Sequence, residues 1–266
     1  MSEQEAASRK PGNAESGRDV GDITGGEIAS LRFGSRARLG MILPSANRVA
    51  EPELADLLPP GVSLHATRVK LAGTSNAELL ASTEGVGEAA ALLADSAPDL
   101  IAFHCTAVST YAPELETRIK ERIVSASGRP AIATSEALIA AFRILRVQRV
   151  VMLSPYPQAL NDLEVAFLRR NGMDVLQERG LDLPVAMHAD VTPQEWFRHL
   201  TALAHKEADG YFVGCTNIRA VPAIDAMERA LGRPVVTSNQ ALLWHVLRNL
   251  GITDPVDGCG QLLRSH

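Results

Sequence analysis

Two copies of one pattern run through this chain 110 residues apart, and a duplicated strand–helix unit restricts the fold more than any other feature of the sequence. Asp99 opens the apolar run DLIAF and Asp209 opens DGYFV, with 209 − 99 = 110. The runs lead to Cys105-Thr106 and Cys215-Thr216, where 215 − 105 = 110. Further on, GRPAIATSEAL from Gly128 answers GRPVVTSNQAL from Gly232. From cysteine to Gly-Arg-Pro there are 23 residues in one half and 17 in the other, a difference that helix length absorbs. Other short apolar runs fall at 39–43, 62–69 and 131–134, then at 149–153, 173–177 and 234–237. Segments of helical spacing, such as 76–95 and 112–126, lie between them. This alternation predicts an α/β fold with mainly parallel sheets. The repeat makes it two similar Rossmann-like lobes related by pseudo-twofold symmetry, 37–147 and 148–266. Two helix starts carry capping boxes, Ser75 with Glu78 and Thr192-Pro193 with Glu195.

The first 36 residues are rich in Gly, Ser, Glu and Asp and are read as a flexible tail, too poor in apolar surface to offset the entropy of ordering them. Hydrophobic residues make up 46% of the 266 and charged residues 21%, as in an ordinary globular chain. A net charge of −5 with no basic run argues against nucleic acid or an anionic membrane surface as partner. No run reaches the ~18 apolar residues of a membrane span, and the N-terminus lacks a secretory apolar core. Three cysteines without a secretion signal predict reduced thiols in a cytoplasm. There is neither a GxGxxG fingerprint nor a GxxxxGK[ST] loop, so no dinucleotide or nucleoside triphosphate is expected. His199 and His205 lack the i, i+4 spacing of a helical metal site, and no metal or other cofactor is expected.

A lone buried cysteine is usually a small hydrophobe. Two cysteines at matching strand ends are different, because ligands of parallel α/β sheets sit outside the C-terminal ends of the strands. If the lobes face each other, Cys105 and Cys215 lie on opposite walls of one cleft. Helix N-termini are expected to lower their pKa below the free-thiol value of about 8.5. One thiolate can then attack carbon or take a proton from it while the other, still a thiol, donates one. Thr106, Thr216 and Asn217 follow the cysteines and are candidate donors to a substrate carboxylate. Ser45 and Asn47 at the end of the first strand, and Tyr156 at the matching place in the second half, join them. As alternatives, Ser45 and Asn47 cap the next helix and Tyr156 is a surface turn residue. Ser135, Ser238 and Asn239 read as helix caps, His104 as packing, and Cys259 as incidental.

The segments GMILPSANRVAEPEL, FHCTAVST, LSPYPQAL and GCTNIRAVPAIDAMERALGRPVVTSNQALLW together resemble the aspartate/glutamate racemase superfamily, in its maleate cis-trans isomerase and arylmalonate decarboxylase branch. The resemblance covers roughly 38 to 264. It implies a cofactor-independent isomerase acting on a small carboxylate or dicarboxylate, with Cys105 as nucleophile, Cys215 as acid/base, and Asn47 and Tyr156 as carboxylate ligands. Racemisation or epimerisation by a two-base pair is the alternative, as is decarboxylation. The decarboxylases keep only the second cysteine and have glycine at the first. A ligand sensor without turnover is the alternative outside enzymes. Relatives commonly form homodimers, so a dimer is expected. The resemblance leaves open whether the helix after Asn239 packs back on the first lobe. In GLDLPVAMHADVTP (180–193) no counterpart of the second family asparagine is found.

Overall fold

The structure, a computed structural model, describes residues 33–73 and 75–266. The tail expected over 1–36 lies outside these residues except for its last four. Of those, Arg36 is tied down by Asp254 at 2.6 Å and by the Pro60 carbonyl at 3.2 Å.

The first half runs β1 (Ala37–Pro44), α1 (Ala50–Leu57), β2 (Val62–Val69), α2 (Asn76–Ser82), α3 (Val86–Ala94), β3 (Leu100–Phe103), α4 (Thr106–Tyr111), α5 (Pro113–Ser127), β4 (Ala131–Ala133) and α6 (Thr134–Ile144). The second runs β5 (Arg149–Ser154), α7 (Gln158–Arg170), β6 (Asp174–Gly180), a 3₁₀ turn (Val185–Asp190), α8 (Pro193–Thr201), β7 (Gly210–Val213), a 3₁₀ turn (Val221–Ala223), α9 (Ile224–Leu231), β8 (Val235–Thr237), α10 (Ser238–Asn249) and α11 (Gly260–Ser265). Each half builds a four-stranded sheet, ordered β2-β1-β3-β4 and β6-β5-β7-β8, with every pairing parallel. β3 and β7 are buried at every residue, which is why they read as unbroken apolar runs rather than alternating ones.

The aspartates that open the repeated runs have a structural job. Asp99 Oδ2 accepts from the Arg38 N–H at 2.7 Å, and Asp209 Oδ2 accepts from the Arg149 N–H at 3.0 Å. The return bonds, Asp99 N–H to Arg38 O and Asp209 N–H to Arg149 O, are both 2.8 Å. Each aspartate thus clamps the start of its strand to the neighbouring one and sets the register of the sheet.

One expected element divides. The segment 76–95 forms two helices, α2 and α3, separated at Thr83–Gly85. The hydroxyls of Ser82 and Thr83 bond back to the Leu79 and Leu80 carbonyls, and the Thr83 carbonyl accepts from Arg122 at 2.5 Å. Such side-chain bonds compete with the helix ladder, and Gly85 and Gly87 weaken it further. Both predicted capping boxes are present.

The halves pack reciprocally. α4 lies against α7, α10 against α1, and α6 against α10. Phe142 on α6 meets Phe212 on β7 edge-to-face, with ring centres 5.8 Å apart. The helix after Asn239 therefore makes its main contacts with helices of the first half.

Asp209→Asn is expected to lower stability by about 1 kcal/mol at pH 7, the worth of a weakened exposed clamp. Its partner Arg149 and the Arg149 backbone N–H hold the Asp209 carboxyl down at about 2 against an ordinary 3.8. Its contribution is therefore present above pH ~4 and fades as pH falls toward 2. Urea melts of both proteins at pH 7 and pH 2.5 measure the difference and its disappearance.

Candidate active site

The two cysteines reach one cleft by different local routes. Cys105 sits two residues beyond the end of β3, in extended backbone at φ −152°, and is the N-cap residue of α4. Cys215 sits two beyond β7, but no α-helix starts there. The chain turns through 216–220 into a 3₁₀ turn, and Cys215 itself is held at φ 112°, a region strained for any residue with a Cβ. Its N–H donates to Ser238 Oγ at 3.3 Å, which helps hold that turn. Cys105 and Cys215 are 5% and 4% exposed. They line one narrow cleft of about 50 Å³ together with Asn47, Tyr156, Thr216 and Asn217. Sulfurs from the two halves therefore face one small space, and among the described residues no Lys or Arg is in its lining.

The other predicted site residues divide. Asn47 does two things: its Oδ1 accepts from the Val49 and Ala50 N–H groups, capping α1, while its Nδ2 donates to Thr216 Oγ1 across the cleft at 2.9 Å. Asn217 presents Oδ1 to the Arg48 N–H at 3.0 Å and its own N–H to Cys215 Sγ at 3.3 Å. Tyr156 is buried, not a surface turn residue, and lines the cleft with Cys215. Ser45 and Thr106 are outside the lining. The Ser45 hydroxyl is exchanged with the Leu71 carbonyl and N–H, fastening the β1–α1 loop to the chain beyond β2. The Thr106 hydroxyl donates to Ser238 Oγ at 2.8 Å.

The expected caps are also placed elsewhere. Ala133 and Thr237 occupy the N-cap positions of α6 and α10, and Thr237 makes a capping box with Gln240. Ser135 donates to Glu116, and Ser238 joins Thr106 to Cys215. Asn239 lies between the halves, accepting from His104 Nε2 at 2.9 Å and donating to Glu53 at 2.6 Å. His104 is fully buried, and burial lowers its pKa to about 4, so it is neutral and bridges the lobes.

The thiols do not have the lowered pKa expected from helix N-termini. Burial pushes Cys105 and Cys215 up to about 12. N–H groups of Val108 and Ala107 act against this at Cys105, as do the Tyr156 hydroxyl and the N–H groups of Asn217 and Thr216 at Cys215. Desolvation of a charge in a dry cleft is the larger effect.

Two groups near the cysteines were missed in the sequence. Glu164 on α7 is fully buried, and among the described residues neither carboxyl oxygen has a hydrogen-bond partner. Its Oε2 lies 2.7 Å from where a Cβ on Gly214 would stand, so the carboxyl occupies space that a side chain there would need. Burial raises its pKa to about 8. Its clue was a charged residue on the apolar stripe Leu160, Phe167 and Leu168. The second group is His188, from the 3₁₀ turn 185–190 in the very segment where no asparagine was found. It lines the cleft, with Nδ1 3.9 Å from Cys215 Sγ. Arg48 fastens this turn by bonds to Ala186 O and Asp190, at 2.8 and 2.6 Å.

The family model described as arylmalonate decarboxylase matches residues 39–263. A maleate isomerase of Nocardia farcinica is 30% identical over 240 residues, which span 85% of this chain and 95% of that protein. A solved Nocardia farcinica maleate cis-trans isomerase, a cysteine-to-serine variant with a covalently bound succinylcysteine intermediate, has a TM-score of 0.81 and 25% identity, covering 86% of this chain and 99% of that one. A liganded arylmalonate decarboxylase carrying a glycine-to-cysteine and a cysteine-to-serine change has a TM-score of 0.80 and 25% identity, covering 86% of this chain and 100% of that one.

Two stability measurements follow from this geometry. Cys215→Gly should be more stable than Cys215→Ala by about 1 kcal/mol, because only glycine relaxes at φ 112°; paired denaturant melts give the number. An ordinary glutamate ionises near 4.5 and Glu164 near 8. The folded state therefore holds the proton more tightly, and stability is lost as pH rises from about 4.5 through 8. Glu164→Gln removes this loss, and its melting temperature should exceed that of the parent at pH 8.5 and approach it at pH 5.

Proposed function

Since the chain belongs to the arylmalonate decarboxylase family, and places a cysteine from each half against one cleft, we propose that it is a cis-trans isomerase of a small dicarboxylate, of the maleate-to-fumarate type. The two-cysteine cleft carries this reading, supported by the relative that holds a succinylated cysteine. Cys105 first gives up its thiol proton to solvent, and the thiolate then adds to one alkene carbon, forming a C–S bond. The π pair moves to the neighbouring carbon and into its carboxylate, and Cys215 gives that carbon its proton. The adduct is now a succinyl thioether with a C–C single bond, about which it turns. The Cys215 thiolate takes a proton back, the C–S bond breaks, and the trans alkene leaves. Atoms and electrons balance without an outside reagent, so the reaction needs no cofactor.

The lining suits this sequence. Carboxylate oxygens are met by neutral donors, from Asn47, Tyr156, Thr216 and Asn217, rather than by fixed cations. Such donors hold a dianion without neutralising it, and they stabilise charge as it moves onto the carboxylate in the transition state. The Tyr156 pKa is raised well above its ordinary value by burial first, which keeps the phenol a donor. Decarboxylation of an arylmalonate is the second reading, favoured by the family description. Cys105 stands against it, since the resemblance gives glycine at that position in the decarboxylases. A cytoplasmic location and a homodimer complete the proposal; among the described residues all three cysteines are free, and no helix is long and apolar enough to cross a membrane.

Incubating the reduced protein with maleate and following the alkene protons by NMR tests the assignment. Fumarate should accumulate. Cys105→Ala should fall to background, and Cys215→Ala should lose a factor on the order of 10²–10⁴, the usual worth of a positioned acid/base. Folded protein that leaves maleate untouched while releasing CO₂ from a phenylmalonate moves the assignment to decarboxylation.

A further inference from the structure

His188 is 2% exposed and stands in the cleft with its two ring nitrogens facing different groups. Nε2 lies 3.0 Å from the Leu183 carbonyl oxygen. A carbonyl only accepts, so Nε2 carries the hydrogen. In the neutral ring Nδ1 is then bare, and it points at Cys215 Sγ from 3.9 Å. The Tyr156 ring packs against the imidazole at a 5.8 Å centre distance and holds its plane. The surrounding titratable and charged groups are the thiols of Cys105 and Cys215 and the Tyr156 hydroxyl in the cleft, with Asp190 on the same turn held by Arg48 and Arg219. Burial keeps the ring's pKa below its ordinary 6.5, so at neutral pH it is an acceptor.

The sulfur opposite has the complementary need. Cys215 Sγ already accepts from the Asn217 N–H at 3.3 Å, and His188 Nδ1 is an acceptor within reach of its own S–H. At Cys105 the groups that act to lower the thiol pKa are the backbone N–H groups of Val108 and Ala107. We propose that His188 is a positioning residue that holds Cys215 as a thiol, and so gives the proton-donor role to that half of the pair and the thiolate role to Cys105. The kinetic consequence rests on the isomerase reading above; the protonation pattern rests on the geometry alone. His188 takes no proton in the cycle. The S–H hydrogen goes from its bond with Nδ1 to the substrate carbon and later returns. In between, a bare nitrogen beside the Cys215 thiolate disfavours that charge, which makes the thiolate a stronger base for the return step. Protonating His188 inverts the arrangement: Nδ1–H donates to the sulfur and draws Cys215 into the thiolate form.

Two measurements on the full-length chain test this. In ¹⁵N-histidine NMR, His188 should show the Nε2–H tautomer, with an Nδ1 resonance that moves on Cys215→Ala. In maleate turnover, kcat should fall on the acid side as His188 becomes protonated, below pH 6.5. His188→Gln should lose that limb, with kcat at neutral pH about tenfold lower, the worth of one hydrogen bond, and a smaller change in KM. An Nδ1–H tautomer, an Nδ1 resonance indifferent to Cys215→Ala, or an acid limb that persists in His188→Gln overturns the proposal. Should maleate not react, the isomerase reading fails, and the NMR measurement, which needs neither substrate nor the His188 variant's stability, still decides the role of His188.

Discussion

Ser238 Oγ accepts a hydrogen from the Thr106 hydroxyl and another from the Cys215 N–H, and this one atom connects the residue after the first cysteine to the backbone of the second. Three more bonds between the halves lie nearby. Asn47 reaches Thr216, the Arg48 N–H reaches Asn217, and His104 reaches Asn239. Each has an end within two residues of Cys105 or Cys215. These bonds tie both cysteine segments to the opposite half, so a shift of one lobe against the other disturbs both sulfurs. Such bonds are individually modest, but leaving their buried donors and acceptors unpaired is costly, so the closed arrangement is held by consequence as much as by attraction.

That closure explains the electrostatics. Water excluded from the cleft is unavailable to a thiolate, and both thiols are pushed up to about 12 despite their donors. The same dryness keeps His104 and His188 neutral and leaves Glu164 protonated near pH 7. A site of this kind stores little charge until substrate arrives, and the Asn, Thr and Tyr donors then act on a charge that has few competitors.

Duplication supplies like scaffolds, and small departures from it supply unlike roles. The position before the cysteine is His104 in one half, filling the space between lobes, and Gly214 in the other, where the Glu164 carboxyl takes that space. Glu53 and Glu164, 164 − 53 = 111 residues apart, differ in that Asn239 satisfies the first and nothing satisfies the second. Cys105 caps a helix in relaxed backbone, whereas Cys215 sits strained beside a tyrosine and a histidine. Two sulfurs in matching places thereby gain different hydrogen-bonding surroundings.

The repeat, the parallel α/β architecture and the two strand-end cysteines were legible in the residues because they depend on local pattern: apolar runs, helix caps and a constant spacing between copies. The strand positions agreed within a few residues, and Asn47, Tyr156, Thr216 and Asn217 were found in the cleft by following strand ends. Ser45 and Thr106 followed the same rule and turned their hydroxyls elsewhere, since which way a loop side chain faces depends on partners distant in sequence. The pKa direction at the cysteines was missed for a related reason. A helix N-terminus is a local feature, but desolvation depends on how completely the other lobe covers the sulfur. His188 came from a turn with no periodic signal, brought to Cys215 across 27 residues of chain. Local sequence determined which elements form and where each strand ends; only the packing of one lobe on the other decided what surrounds the sulfurs, because burial and hydrogen-bond partners belong to the assembled pair of halves.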